Sequence, residues 1–146
     1  MKSVDLQRLL FDRLRRQGDG HLERLIDRER AATRRERSRG LELVRQKLTK
    51  EIEGDSGIAA DVAREIDAFV REHPDKAERT LILVGRAGAL YPFFRSSALL
   101  KHIAGRTHNI PVVLLYPGDI DGDNGLQFMG VLKSDTDYRP RIYGKR

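Results

Sequence analysis

The sequence TLILV at residues 80–84 and a second apolar run, IPVVLLY, at residues 110–116 are the most informative stretches about the fold. Both runs are uninterrupted and strand-length, and residues 92–104 between them are long enough for a helix. Such runs are typical of parallel strands buried on both faces, and parallel strands need a crossover connection. We therefore predict a parallel β-α-β core with strands at 80–84 and 111–116 and a helix at 92–104.

The flanking sequence predicts helices before this core and a hairpin after it. Apolar residues recur at three- and four-residue spacing through residues 1–73, and Ser3 can cap the first helix. One long helix through Gly40 and two shorter helices are both compatible with the pattern. Asn124-Gly125 signals a tight turn between antiparallel strands, and residues 138–143 can add an edge strand.

The predicted fold class is therefore α/β, with a small mixed sheet in two or three layers. It combines the parallel core with a C-terminal antiparallel hairpin and an all-helical N-terminal half. A chain of 146 residues suits one domain, 1–146, with a helical, basic part at 1–73 and an α/β part at 79–146.

The composition excludes several kinds of site and several classes of protein. The chain has 0 cysteines, which excludes disulfides, a thiolate nucleophile and Cys-based zinc or iron–sulfur sites. Residues 1–19 mix arginine and aspartate into their apolar positions, unlike a secretory signal, and no run is long enough to span a bilayer. We expect a cytoplasmic protein without a membrane anchor.

The net charge of +6 lies in the N-terminal helices. Residues 1–50 hold 15 Lys and Arg against 8 Asp and Glu, a charge of +7, which leaves −1 for the other residues. The basic cluster consists of Arg28, Arg30, Arg34, Arg35, Arg37 and Arg39. Such a cluster can bind nucleic-acid phosphates. We favour a solvated helical face supported by Glu–Arg pairs, because no aromatic residue is interleaved to stack bases.

The loop after the first core strand is where phosphate-binding loops lie. It offers Gly85, Arg86 and Gly88, and the following helix offers Arg95 and Ser96, as possible contacts for an anion or a partner. The Gly-Lys-Ser/Thr of a P-loop is missing, as is a dinucleotide fingerprint. We expect the glycines to serve turn geometry and close packing, and a degenerate nucleotide-binding fold remains an alternative.

Other candidate sites match no catalytic or metal-binding pattern. The alternating Asp119, Asp121 and Asp123 resemble a calcium loop, but Asn124 and Gly130 stand where an EF-hand needs Gly and Glu. The four histidines have no ligand or triad spacing, and the serines lie in no nucleophile elbow. We expect no catalytic residue, no metal and no cofactor.

The core and its surroundings resemble the BrxB family. The resemblance lies in residues 83–100 (LVGRAGALYPFFRSSALL), 111–118 (PVVLLYPG), 128–130 (FMG) and 138–143 (YRPRIY), whereas residues 4–72 match only as a helical pattern. The signature positions are Tyr91, Pro92, Tyr116, Pro117, Gly118, Asp121 and Gly122. Two features depart from the family: Arg86 replaces a small or apolar residue, and the family has a further strand ahead of Val4.

The resemblance implies a component of BREX systems, which protect bacteria against phage and methylate host DNA. It implies an interaction or adaptor module, not an enzyme, working beside a PglZ-like phosphatase-fold protein, a PglX-like methyltransferase and a BrxC-like ATPase. A missing first strand would expose a sheet edge for a partner or another copy of the chain. Direct nucleic-acid binding through the basic cluster is the alternative function.

Overall fold

The computed structural model describes residues 1–54, 56–91, 93, 96–121, 125–128 and 141–144. The helices in this part are α1 (Leu6–Arg16), α2 (His21–Arg35), α3 (Arg37–Ile52), α4 (Ile58–Glu72), α5 (Pro74–Ala77) and α6 (Ser96–Ile103), and a 3₁₀ helix spans Ala87–Leu90. The strands are β1 (Lys2–Asp5), β2 (Ile82–Gly85), β3 (Val112–Leu114), β4 (Gly118–Asp121) and β5 (Gly125–Phe128).

A parallel sheet with strand order β1-β2-β3 forms the centre of the fold. Its register aligns Val4 with Val84, and Val84 with Leu114. The α/β class and the parallel β-α-β core are confirmed, although α6 begins at Ser96, later than the expected helix at 92–104. A 3₁₀ turn occupies part of the connection, and Pro92 lies outside the described residues.

The N-terminal half is not all helical, because the chain opens with strand β1. The backbone N–H of Lys2 donates to the carbonyl of Leu81 at 3.0 Å, which places residues 2–5 beside β2. The expected capping role of Ser3 is also wrong: Ser3 pairs with Leu83 inside the sheet, and Asp5 Oδ1 caps α1 by accepting from Arg8 N at 3.0 Å. The chain therefore has a strand where one was expected to be missing.

The described helices cover one face of the sheet. Ile82 and Val84 point to that face and have no exposed surface. On the opposite face Leu81, Val113 and Leu115 are 37%, 42% and 53% exposed, so the prediction of burial on both faces is wrong for the described part of the chain. The two crossovers step across the sheet in the same direction, and crossovers of one hand then place their helices on the same side. The described part is a two-layer structure.

Two helices, and not one, form the long helical hairpin. The backbone breaks at Glu36, which has extended angles of φ −161° and ψ 128°, and Gly40 lies within α3. A Cβ atom at Gly40 would overlap Oγ1 of Thr33 on α2, so this glycine allows the two helices to approach closely. Its role is helix packing and not helix interruption.

The core joins helices from both halves of the chain to the buried face of the sheet. Its fully buried side chains include Leu6 of α1, Ile58 and Ile66 of α4, and Leu99 of α6. Truncating a buried Leu or Ile of this kind to alanine typically lowers the free energy of unfolding by about 2 to 5 kcal/mol. The helical half is thus part of the same core as the sheet.

The C-terminal antiparallel hairpin is confirmed by β4 and β5. Gly118 pairs with Phe128, and a Cβ atom at Gly118 would overlap the carbonyl oxygen of Gln127, so only glycine fits there. Residues 141–144 form no strand, and residues 138–140 of the expected edge strand lie outside the described residues.

Candidate functional site

The loop after β2 lies at the carboxyl edge of the parallel sheet. Its left-handed position, φ 62°, is occupied by Arg86 and not by a glycine. Gly85 is in the strand, and Gly88 is in the 3₁₀ helix. The expectation that the glycines provide the turn is therefore wrong for Gly85, where strand geometry applies. A non-glycine residue in the left-handed region costs about 1 kcal/mol, and such strain often marks functional sites.

Arg86 connects this loop to the end of β1. Its Nε lies 3.5 Å from Asp5 Oδ2, and its Nη1 donates to Gln7 Oε1 at 3.3 Å. The guanidinium is two-thirds exposed, so this ion pair is weak. Asp5 places a negative charge where an anion would bind, which disfavours a phosphate there. Ser96 is buried at the start of α6, and Arg95 lies outside the described residues.

Two signature tyrosines contact the same residue of β5, Phe128. Tyr91, which follows the 3₁₀ helix, stacks on Phe128 with ring centroids 5.3 Å apart, and Tyr116 contacts the same ring edge-on at 5.4 Å. Such aromatic pairs add about 0.5 to 1.5 kcal/mol each beyond burial. Pro117 and Gly118 lead into β4, which ends at Asp121. These signature residues anchor the hairpin at the carboxyl edge, while Pro92 and Gly122 lie outside the described residues.

An apolar row crosses the open face of the sheet. Leu83 of β2 is the register partner of Val113 of β3, and Leu81 and Leu115 lie on the same face at two-residue spacing. The Cβ position of Gly85 is 4.0 Å from a methyl group of Leu115, which therefore lies beside the end of β2. We call these four residues, Leu81, Leu83, Val113 and Leu115, the open-face row.

The six arginines of the basic cluster are all exposed on the α2–α3 hairpin. Within the described part of the chain, Arg39 is the one member with a carboxylate in ion-pairing range, Glu36 Oε2 at 2.9 Å from its Nε. The expected network of Glu–Arg pairs across this cluster is therefore reduced to a single pair. The cluster and the loop at Arg86 lie on separate elements.

A buried ion pair between helices was missed by the sequence analysis. Arg13 Nη1 of α1 donates to Asp61 Oδ2 of α4 at 2.7 Å, and the Asp61 side chain is only 3% exposed. Arg64 also bonds Asp61, and Glu51 lies 3.8 Å from Arg13 Nη2. Arg13 Nε is buried without a hydrogen-bond partner among the described residues. The signal was available, because both charges fall within apolar helical stripes.

A groove of about 730 Å³ opens beside this ion pair. Its charged lining comprises Asp61, Arg16, Arg64, Arg71, Glu65, Asp67 and His108. Glu65 Oε2 pairs with Lys2 Nζ at 2.9 Å, and Asp67 Oδ1 lies 2.7 Å from His108 Nε2. Each carboxylate of the lining is thus engaged by a basic group of the chain, and these contacts tie β1 and the segment after α6 to α4.

Sites for metal ions and for membranes lack the residues they need in the described part of the chain. There, no group of three histidine or acidic residues is arranged to hold a metal ion. Among the same residues, no helix is both long and apolar enough to span a bilayer. The candidate calcium residue Asp123 lies outside the described residues.

Comparison with known proteins identifies a family. Searches of curated proteins and of solved structures gave no match. A protein-family model described as "BREX protein BrxB" matches residues 2–142, which includes the helical half as well as the signature around the sheet. Because this match spans nearly the whole chain, the protein belongs to the BrxB family and is a component of a BREX antiphage defence system.

Proposed function

We propose that the protein serves its BREX system as a non-catalytic interaction module that docks a partner protein on the open face of its sheet. The open-face row is the observation that carries this proposal. Three of its four side chains are more than one-third exposed, and adjacent strands place them side by side. Contiguous exposed apolar side chains on a water-soluble protein commonly mark interaction sites.

The row has the composition of an interface core. A stable interface buries about 800 Å² on each partner, with apolar residues at its centre and polar residues at its rim. Arg86, which follows β2, and Asp5, which ends β1, lie at the carboxyl edge of the sheet and supply polar groups there, and Leu115 lies beside Gly85 at the end of β2. Burial of the exposed aliphatic surface would contribute about 25 cal/mol for each Å².

The BrxB resemblance suggests the class of partner. The candidates are a PglZ-like phosphatase-fold protein, a PglX-like methyltransferase and a BrxC-like ATPase. A second copy of the chain could cover the same apolar face, so a homodimer is the competing occupant. The row favours a partner with a complementary apolar surface.

The charged groups of the groove support a module without chemistry of its own. Asp61, Glu65 and Asp67 each contact a basic residue, and these contacts join separate elements of the fold. The stability of the fold is enough to explain where these three carboxylates lie. They do not require a bound substrate.

An affinity pull-down tests the proposal. The tagged chain is co-expressed with its neighbouring genes, treated with nuclease and analysed by mass spectrometry. We expect a BREX protein in stoichiometric amount after nuclease treatment. Recovery only without nuclease would contradict direct docking, as would a homodimer in light scattering that binds no BREX protein. Robust nucleotide hydrolysis by the purified chain would contradict the non-catalytic role.

A further inference from the structure

The end of the α2–α3 hairpin projects away from the core. Leu22 and Leu25 of α2 join the core, as do Leu43 and Val44 of α3, but no residue between Ile26 and Glu42 does so. Arg35 lies ten residues beyond Leu25, which corresponds to about 15 Å along the helix axis. The basic cluster therefore occupies a protruding end, accessible from several sides.

Two of the three carboxylates between Ile26 and Glu42 are already engaged, and the third, Asp27, has no arginine of the cluster in ion-pairing range among the described residues. Glu29 Oε1 accepts a hydrogen bond from Thr33 at 2.8 Å, close to the Gly40 packing contact. Glu36 accepts from Ser38 at 2.6 Å and from Arg39 at 2.9 Å. Neither carboxylate neutralises the remaining five arginines of the cluster in the described structure.

Packing does not explain these five arginines, and local stability favours only Arg34 and Arg35, which lie in the last turn of α2 near the negative end of its dipole. Arg30 and Arg34 are four residues apart on α2, and like charges at this spacing destabilise a helix. All five side chains are exposed, and none has a carboxylate in ion-pairing range among the described residues. Unneutralised positive charge at a projecting end attracts polyanions and accelerates their association.

We propose that this hairpin end binds the phosphate backbone of duplex DNA. The cluster uses arginine alone, and arginine contacts phosphate bidentately. No aromatic residue lies between positions 28 and 39, which disfavours single strands because their binding relies on base stacking. Arg28 and Arg35 lie on one helix face about 10 Å apart, comparable to the roughly 12 Å width of the B-DNA major groove.

The binding is independent of base sequence, because arginine–phosphate contacts carry no sequence information. It adds a second surface to the protein. This surface lies on the α2–α3 hairpin and is separate from the open-face row on the sheet. The hairpin carries this inference alone, so partner docking and DNA binding can fail separately.

Fluorescence anisotropy with a labelled 20-base-pair duplex tests the inference. We compare the full chain with the variant Arg34→Gln, Arg35→Gln, Arg37→Gln. The matched control, Lys76→Gln, Arg79→Gln, Lys101→Gln, removes the same charge from exposed positions outside the hairpin. Circular dichroism checks that all three proteins are folded.

The hairpin variant should bind duplex DNA about tenfold or more weakly at 0.1 M salt, with the control within about twofold of the unmodified chain. For the hairpin variant, the slope of log K against log salt concentration should become shallower by about 1 for each lost phosphate contact. Equal losses in both variants would overturn the inference, as would tighter binding of single-stranded DNA or of duplex RNA. It would also fail if the unmodified chain bound no DNA while the hairpin variant lost an acidic protein partner.

Discussion

Arg13 Nη1 and Asp61 Oδ2, 2.7 Å apart, join α1 to α4 where both helices would otherwise present only apolar side chains. Arg13 is 14% exposed and Asp61 3%, so water screens the pair little. Removing one partner of such a pair leaves a buried charge uncompensated and typically costs 3 to 5 kcal/mol.

Asp61→Asn should therefore lower the free energy of unfolding by about 3 kcal/mol, measured by urea denaturation. Asp67→Asn is the matched control, because Asp67 lies on the same helix but is half-exposed, and it should cost less than about 1 kcal/mol. The double change Arg13→Met, Asp61→Leu should recover most of the loss, since apolar replacement of both partners removes the buried charges together. Equal losses in the Asn variants would show that Asp61 has no special role.

Gly40 controls the approach of α2 and α3. Gly40→Ala should destabilise the hairpin by about 1 to 3 kcal/mol through overlap with Thr33, against a gain of about 1 kcal/mol in helix propensity. Thr33→Ala should partly rescue it by removing Oγ1. Thermal unfolding of the two single variants and the double variant gives the coupling energy, and strict additivity would contradict close packing at this position.

Arg86 holds a left-handed backbone conformation that suits glycine. Arg86→Gly should leave stability within about 1 kcal/mol of the unmodified chain, because relief of backbone strain offsets the weak ion pair with Asp5. Arg86→Ala loses the same ion pair without relieving the strain, and should be about 1 kcal/mol less stable than Arg86→Gly. Chemical denaturation of both variants checks this order, and the reverse order would exclude strain at this position.

Glu42 on α3 should titrate below its usual range. Hydrogen bonds from Arg45 and Gln46, each 2.8 Å long, lower the pKa of Glu42 from 4.5 to about 2. A depressed pKa means that the contribution to stability is present above pH 4.5 and is lost as the pH falls towards 2. A carboxyl ¹³C NMR titration should show this midpoint, and Arg45→Met should raise it. A midpoint of 4.5 in the unmodified chain would contradict the contact.

The parallel core was predictable because two uninterrupted apolar runs with a helix-length connection have few alternative arrangements. Strand β1 was not, because its sequence KSVD contains one apolar residue and it joins the sheet through backbone hydrogen bonds. The open face was also hidden, since an apolar run shows that both faces of a strand are apolar but not what covers them.

In the helical half, too, some features were predictable from the sequence and others were not. The helix break at Glu36 has no glycine or proline signal at that position, and Gly40 lies within α3 where it contacts Thr33 of α2. Arg13 and Asp61 lie within apolar stripes, so the pattern could have indicated buried charges, but their pairing needed the relative position of α1 and α4. The basic cluster was predictable, whereas the hydrogen bonds of Glu29 with Thr33 and of Glu36 with Ser38 and Arg39 were not.

One matched pair of variants tests whether a BREX partner docks on the open face. Val113→Gln, Leu115→Gln alters the open-face row at 42% and 53% exposed positions, and Ile26→Gln, Leu41→Gln alters the hairpin at 40% and 55% exposed positions. Both proteins should fold, and neither changes the net charge. In the nuclease-treated pull-down, we expect the first variant to lose the partner at least tenfold and the second to retain it. Retention of the partner by Val113→Gln, Leu115→Gln would rule out docking on the open face.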